Sequence, residues 1–164
     1  MTSGILFGLG LGGFFDGIIL HQVLRWHHMV SSTETYSPAS LANLEINVLA
    51  DGLFHIATYV FVLAGLVVLW RVLDHRPMPW TTKGFIGLVI LGFGLFNVVE
   101  GFINHQLLGI HHVNETVPES YWIYWDAGFL IWGALMIALG WWLWRSGWAS
   151  ASHRYELDVR MAEK

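Results

Sequence analysis

The chain has 164 residues and no cysteine; 55% of its residues are apolar and only 12% are charged. Soluble domains carry about 25% charged residues, so this composition argues against a soluble protein. The lack of cysteine excludes disulfides and thiolate metal sites. A net charge of −4 gives no indication of nucleic-acid binding, so nucleic acid is not expected as a partner.

Four apolar blocks follow one another along the chain, at residues 4–26, 46–69, 85–108 and 121–144. Each is close to the length of about 20 apolar residues that crosses the hydrocarbon core of a bilayer. Polar connections separate the blocks at residues 30–43, 74–82 and 114–120. We therefore predict an all-α protein, with a four-helix transmembrane bundle in residues 1–148 and a polar cytoplasmic tail in residues 149–164.

The basic residues predict the orientation of these spans. Arg71, Arg76 and Lys83 flank the second connection, and four more basic residues follow the last block, whereas Arg25 is the only Lys or Arg near the first and third connections. Cytoplasmic loops carry the excess of Lys and Arg, so the N and C termini should be cytoplasmic. The expected location is the bacterial cytoplasmic (inner) membrane, crossed several times, with the lipid bilayer as the main partner.

One polar pattern occurs twice within the apolar blocks. DGIILHQVLRWHHM begins at Asp16 and EGFINHQLLGIHHV begins at Glu100, so both motifs place an acid, a histidine and a histidine pair at the same spacing. Gly8 recurs as Gly92, at positions where small residues allow close helix packing. The sequence predicts an internal repeat, about residues 4–71 and 85–146, made of two parallel two-helix hairpins.

The repeated ionisable residues predict a metal site. Acids inside a bilayer are costly, and no Lys or Arg within the spans can neutralise them, so a bound cation is the favoured explanation. Imidazole and carboxylate ligands suit copper, iron and zinc, and copper is the first choice. The expected ligands are His21, His28, Asp51, His55, Glu100, His105, His112 and Asp126, with Asp16, His27 and His111 as supporting residues or alternative ligands.

Helical geometry predicts which of these residues meet. His21 and His28 are seven positions apart and are expected to share a helix face, as are His105 and His112. Asp51 and His55, four positions apart, also share a face. Asp16 and His21 are five positions apart, about 140° around an α-helix, so they are not an ideal pair on one face. Either one of them supports the site without binding the metal, or a local π-bulge realigns them. Leu130 takes the place of His55 in the second half, which excludes a perfectly symmetric site.

The stretches DGIILHQVLRWHHM, ADGLFH and VEGFINHQLLGIHH resemble a bacterial membrane-protein family named only as domain of unknown function 2243. The resemblance covers roughly residues 4–144. It implies a four-helix integral membrane fold and implies no activity.

The residues themselves favour a membrane metalloprotein whose centre, binuclear or larger, lies in the outward half of the bundle. Redox or oxygen chemistry by a metal-dependent oxidoreductase is the leading expectation. The alternatives are copper storage or delivery without catalysis, a haem b protein with His21 and His105 as axial ligands, and a proton path through acid and histidine relays. A second copy of the chain or a respiratory complex is the expected protein partner.

Overall fold

The computed structural model describes residues 1–75 and 81–162, with the side chains of residues 1–74 and 81–149, and every regular element within these ranges is helical. Helix α1 (Thr2–Phe14) continues as a π-helical segment, Phe15–Val23. Helix α2 is Leu41–His75. Helix α3 (Thr82–Glu100) also continues as a π-helical segment, Gly101–Leu107. A short 3-10 turn, Glu119–Tyr121, precedes α4, Trp122–Ala162.

Four helical stretches in the described part of the chain are long and apolar enough to cross a membrane: Thr2–Val23, Leu41–Asp74, Thr82–Leu107 and Glu119–Ala149. The shortest has 22 residues, in keeping with the roughly 20 residues that cross a hydrocarbon core of about 30 Å. The all-helical, four-span prediction is confirmed. Helix α2 begins inside the predicted first connection, α4 continues into the predicted tail, and residues 76–80 of the predicted second connection lie outside the described residues.

Helices α1 and α3 form the centre of the molecule. They pack against each other, α2 packs on α1, and α4 packs on α3, while α2 and α4 make no contact within the described ranges. Half of the most apolar stretch of α1 and of α3 is buried, compared with 11% for α2 and 17% for α4. The order across the molecule is therefore α2, α1, α3, α4, with the outer two helices exposing apolar side chains that suit lipid.

Glycine allows the two central helices to approach closely. A Cβ atom added to Gly92 would collide with the backbone of Ile5 and lie 3.0 Å from the Cα of Gly8. Gly94 faces α4 in a similar way, because a Cβ there would lie 2.8 Å from the backbone nitrogen of Ile137. The predicted packing role of the glycines is confirmed at these positions, and it brings the two polar motifs side by side.

Both central helices end before the histidine pairs. The π segments stop at Val23 and Leu107, and the residue two positions further on has a left-handed backbone: φ is 53° at Arg25 and 57° at Gly109. A left-handed residue just past a helix reverses the chain. We call residues 24–31 the first return loop and residues 108–115 the second return loop.

The return loops overturn one prediction about the histidines. His28 and His112 lie in these loops and not on a helix, so the predicted shared faces with His21 and His105 are wrong. The physical reason is the chain reversal at the left-handed residues. The two loops also bond to each other, since the Glu115 amide donates to the carbonyl of Trp26 at 2.9 Å.

Candidate metal centre

The π-helical segments bring each acid against the histidine five positions later. His21 Nε2 lies 3.1 Å from Asp16 Oδ2, and His105 Nε2 lies 3.4 Å from Glu100 Oε1. An α-helix would separate such residues by about 140°, but hydrogen bonds to the fifth preceding residue widen the turn and align them. The realignment by a π-bulge that the spacing allowed is therefore confirmed.

The return loops carry His27 and His111 back into the interior. His27 is 2% exposed and His111 is fully buried. Their rings stack, with centroids 4.6 Å apart and planes 7° from parallel. His27 Nδ1 donates to the carbonyl of Val113 and His111 Nδ1 donates to the carbonyl of Met29, each at 2.9 Å. Each ring is thus held by the backbone of the opposite loop.

Two groups of buried side chains are close enough to hold a metal ion. His21, His27 and His111 form one group, and Glu100, His105 and His111 form the other. In each group, one ligand atom per residue lies within 4.8 Å of the others. His111 belongs to both groups, so the motifs supply one continuous cluster. The structure places His27 and His111, expected only as supporting or alternative ligands, at its centre.

The backbone bonds determine which ring nitrogens face the cluster. A carbonyl oxygen only accepts, so Nδ1 of His27 and of His111 carries the proton, and Nε2 is the lone-pair atom of the neutral ring. Burial lowers the pKa of His27 well below its ordinary value, and the neighbouring His111 and His21 lower it further. His27 is therefore neutral, the form in which imidazole binds a metal.

Nε2 of His111 faces an acceptor. It lies 2.9 Å from Glu100 Oε1. Because the ring proton is on Nδ1, a neutral His111 and an ionised Glu100 would point lone pairs at each other. A positive ion or an extra proton between them resolves this repulsion.

Asp51 holds two histidines and one backbone amide. Its Oδ1 accepts from His21 Nδ1 at 2.8 Å and from the Met29 amide at 2.9 Å, and its Oδ2 accepts from His28 Nδ1 at 2.7 Å. In a neutral His21 ring, Nε2 is then the lone-pair atom, and it lies 3.1 Å from Asp16 Oδ2. The structure thus places Asp51 outside the cluster, where it orients His21.

Asp126 has the same position behind the second motif. Its Oδ1 accepts from the Val113 amide at 3.0 Å, and its Oδ2 accepts from His112 Nδ1 at 2.7 Å and from Gln106 Nε2 at 3.2 Å. His105 Nδ1 is 3.5 Å from Asp126 Oδ1, and neither ring nitrogen of His105 has a hydrogen-bond partner among the described residues. In the second half, the histidine of the motif is therefore held less firmly by its aspartate than in the first half.

Several buried polar atoms in the cluster lack a hydrogen-bond partner in the described part of the chain: Asp16 Oδ1, Glu100 Oε2, His27 Nε2 and both ring nitrogens of His105. Buried polar groups are normally paired, and each unpaired group costs roughly 1–3 kcal/mol. Most of these atoms are acceptors or possible lone-pair donors. Such a set fits a cation better than it fits further hydrogen bonding within the protein.

His28 and His112 remain near the surface. Their side chains are 19% and 22% exposed, compared with 0% for His21. Each uses Nδ1 to bond the aspartate behind its motif. The structure therefore places them beside the cluster and does not bring them into either three-residue group.

His55 lies apart from the other histidines. Its ring stacks on Phe14 with centroids 6.2 Å apart, and a Cβ added to Gly17 would lie 2.5 Å from its Nε2. Asp51, one turn away on the same helix, bonds to the first motif instead. In the second half, Leu130 contacts Gly101 in the corresponding way, at 3.3 Å from a Cβ added there. His55 thus packs where Leu130 packs in the second half, with its Nε2 buried and without a hydrogen-bond partner among the described residues.

Asn47 is a supporting residue that the sequence reasoning missed. It is fully buried, its Oδ1 accepts from the Val30 amide at 3.2 Å, and its Nδ2 donates to the carbonyl of Tyr36 at 2.7 Å. The bond from Val30 holds the first return loop against α2, and the bond to Tyr36 holds the segment that follows it. The available signal was its position one helical turn before Asp51, on the same face.

Comparisons with known proteins agree with the membrane fold and give no activity. Neither the curated proteins nor the solved structures contain a match to the chain. A family model matches residues 3–147, which include all four helices up to the last turns of α4. The chain belongs to the family described as predicted membrane protein (DUF2243).

Proposed function

We propose that this membrane protein is a metalloprotein with a binuclear histidine and carboxylate centre. Its ligands would come from both motifs: His21, His27, His105, His111, Asp16 and Glu100. The observation that carries the proposal is the direction of the imidazole lone pairs. Backbone carbonyls hold the Nδ1 protons of His27 and His111, and Asp51 holds that of His21. The Nε2 atoms of these rings are thereby left for a cation between the carboxylates.

A metal explains the cluster better than protons alone. One proton can bridge His111 and Glu100, but the unpaired Asp16 Oδ1 and His27 Nε2 lie 4.0 Å apart, beyond hydrogen-bond distance. A divalent ion bonds to several acceptors at once and compensates the buried carboxylate charge. Metal-bound histidines also commonly donate their other nitrogen to a carboxylate or a carbonyl, as His21, His27 and His111 do here.

Copper is our first choice of metal. Imidazoles outnumber carboxylates in the proposed ligand set, and copper(II) binds nitrogen and oxygen ligands more tightly than iron(II) or zinc at comparable sites. Iron and zinc accept the same ligands, so direct measurement of the bound metal decides among them. If the metal is redox-active, it supplies electron transfer or oxygen activation, and the protein residues hold it in a water-poor site.

We also propose that the two motifs are halves of one internal repeat. Corresponding residues make corresponding contacts: His27 bonds to Val113 as His111 bonds to Met29. Asp51 likewise accepts from His28, which precedes Met29, and Asp126 accepts from His112, which precedes Val113. A shared ancestry of the halves accounts for a centre built from both.

Storage or delivery of copper without catalysis is the second candidate. The observation that favours it is the partial exposure of His28 and its shared carboxylate with buried His21. Such a residue suits the transfer of a metal ion between the surface and the cluster. Haem is not favoured, because the rings of His27 and His111 contact both His21 and His105 and occupy the space a porphyrin would need.

The deciding experiment is elemental analysis of protein purified in a non-ionic detergent, with an optical spectrum of the same sample. We expect about two metal ions per chain after reconstitution, as in binuclear sites. Stoichiometric haem with a Soret band would contradict the proposal. So would the absence of metal after purification without chelators and after reconstitution with copper, iron and zinc. Oxygen consumption compared with transfer of the metal to a chelator would then separate catalysis from storage.

A further inference from the structure

Arg25 has a backbone conformation that a glycine adopts at the corresponding position of the second motif. Its φ is 53°, and the corresponding residue, Gly109, has a φ of 57°. A left-handed conformation strains any residue with a Cβ atom, and helix ends usually place glycine there. Because strained residues cluster at functional sites, an arginine at this position calls for a role of its side chain.

The side chain of Arg25 lines a groove that leads to the proposed metal centre. The groove has a volume of about 290 Å³, and Gln22, His28, Asp51 and the buried His21 also line it. Arg25 itself is exposed, whereas His21 at the inner end is fully buried. The groove therefore connects the positive charge of Arg25 near the surface to one side of the cluster. The Asp51 carboxylate in its lining already accepts from His21, His28 and the Met29 amide.

The other end of the cluster differs. The ring of His112 packs against the ring of Trp122, with centroids 4.6 Å apart. Arg25 is also the only Lys or Arg in residues 24–43 and 108–120, which include the first and third connections. Within these two ranges, the single permanent positive charge is thus located at the groove beside the first motif.

We propose that this groove binds a small soluble anion, such as a carboxylate or an inorganic oxyanion, with Arg25 as its counter-charge. The guanidinium group presents a planar set of donors that matches such anions, and the Gln22 amide adds a further donor. Resting on the proposed function, the groove would be the route by which an anionic ligand reaches the His21 side of the metal centre.

The test is calorimetric titration of the metal-free, full-length protein in a non-ionic detergent, with acetate and with inorganic phosphate as probes. Arg25→Gly is the informative variant because it installs the residue found at the corresponding position. We expect it to weaken binding of the better probe by about tenfold or more, the effect of losing a charge-assisted hydrogen bond. Its unfolding temperature should be no lower than that of the wild type. Arg25→Lys should retain part of the affinity.

A positional control distinguishes anion binding at the groove from attraction by the general surface charge. The double variant Arg25→Gly with Gly109→Arg moves the arginine to the other return loop and keeps the net charge. It should bind the anion as weakly as Arg25→Gly alone. Equal affinity of the wild type and Arg25→Gly, or full recovery in the double variant, would overturn the proposal.

The lipid headgroup is the other source of anionic oxygens near Arg25. Binding to phosphatidylcholine vesicles with and without phosphatidylglycerol distinguishes it. A dependence on Arg25 for phosphatidylglycerol binding, without one for acetate or phosphate, would overturn the assignment to a soluble anion. These titrations use metal-free protein, so their result does not depend on the metal centre. A protein that binds no metal after reconstitution would refute the metal centre and leave the anion result unaffected.

Discussion

His27 and His111 stack face to face across the two return loops, with ring centroids 4.6 Å apart, and each donates a hydrogen bond to the backbone of the other's loop. The bonded carbonyls belong to Met29 and Val113, each two positions beyond the histidine of its own loop. This reciprocal arrangement fixes both rings and both tautomers. It makes the pair the centre of the proposed metal site.

Replacement of His111 by Gln should remove most of the bound metal, because His111 is the residue shared by both ligand groups. We expect a loss of about tenfold or more in affinity, at least as large as that from the loss of a supporting residue. Elemental analysis and competition with a chelator measure the change. His55→Gln is the matched control, since His55 lies outside the cluster, and it should keep its metal. Full occupancy in His111→Gln would exclude His111 as a ligand.

His21 and His105 should both contribute ligands, but with different effects on binding. Each Ala variant should lower metal content, and His21→Ala should cost more, because Asp51 orients the His21 ring through Nδ1 while His105 lacks a hydrogen-bond partner in the described residues. An oriented ligand loses less entropy when it binds. Titration with metal measures the affinity of each variant. A double variant with wild-type occupancy would contradict a role for either residue.

Glu100→Gln should lose metal while the helices still assemble. Glutamine keeps the shape and the hydrogen bonding of a protonated acid, but it cannot supply the charge of a carboxylate. A metal-bound Glu100 therefore does not tolerate the change, whereas a purely structural acid does. Metal analysis combined with gel filtration and circular dichroism tests this, with the exposed Glu45→Gln as control. Unchanged metal content would remove Glu100 from the centre.

Asp51→Asn should weaken metal binding without abolishing it. The amide can still accept hydrogen bonds but no longer holds the Nδ1 protons of His21 and His28 through a charge. Residues that orient ligands typically contribute 10- to 100-fold in affinity. Asp126→Asn should have a smaller effect, since Asp126 is 3.5 Å from His105. If both variants bound metal as the wild type does, the aspartates would not orient the ligands.

The orientation prediction, with both termini in the cytoplasm, can be checked in cells. The chain has no cysteine, so Ser40→Cys and Ser152→Cys each introduce a single label site without a background. A membrane-impermeant thiol reagent should label position 40 in intact cells and position 152 only after lysis. The reverse pattern would show the opposite orientation.

Composition and periodicity were sufficient for the architecture. The length of the apolar blocks requires helices that cross a bilayer, because backbone polar groups in lipid must be satisfied within the segment. The glycines at positions 8 and 92 predicted close helix packing, which the structure shows between α1 and α3. The repeated acid and histidine spacing predicted a cluster of these side chains, since ionisable groups in an apolar span are too costly to occur twice without a purpose. It ranked His27 and His111 only as supporting residues or alternative ligands.

Local sequence could not establish how the cluster is arranged. The five-residue spacing of Asp16 and His21 allowed two geometries, and only the π-helical segment decided between them. Gly109 offered a signal for a chain reversal, but Arg25 at the matching position offered none, because arginine rarely adopts a left-handed backbone. The reversal places His27 and His111 inside and leaves His28 and His112 at the edge. The adjacency of His27 to His28, and of His111 to His112, therefore did not indicate how deeply each side chain is buried.

The sequence by itself determined that four apolar helices carry two matched sets of acids and histidines. The tertiary structure alone decided which atoms face one another. Hydrogen bonds from His27 and His111 connect residues 86 and 82 positions apart, respectively, and these bonds select the tautomers. Such long-range bonds depend on the packing of α1 against α3, and a single-chain pattern of local spacings does not encode the direction of a ring nitrogen.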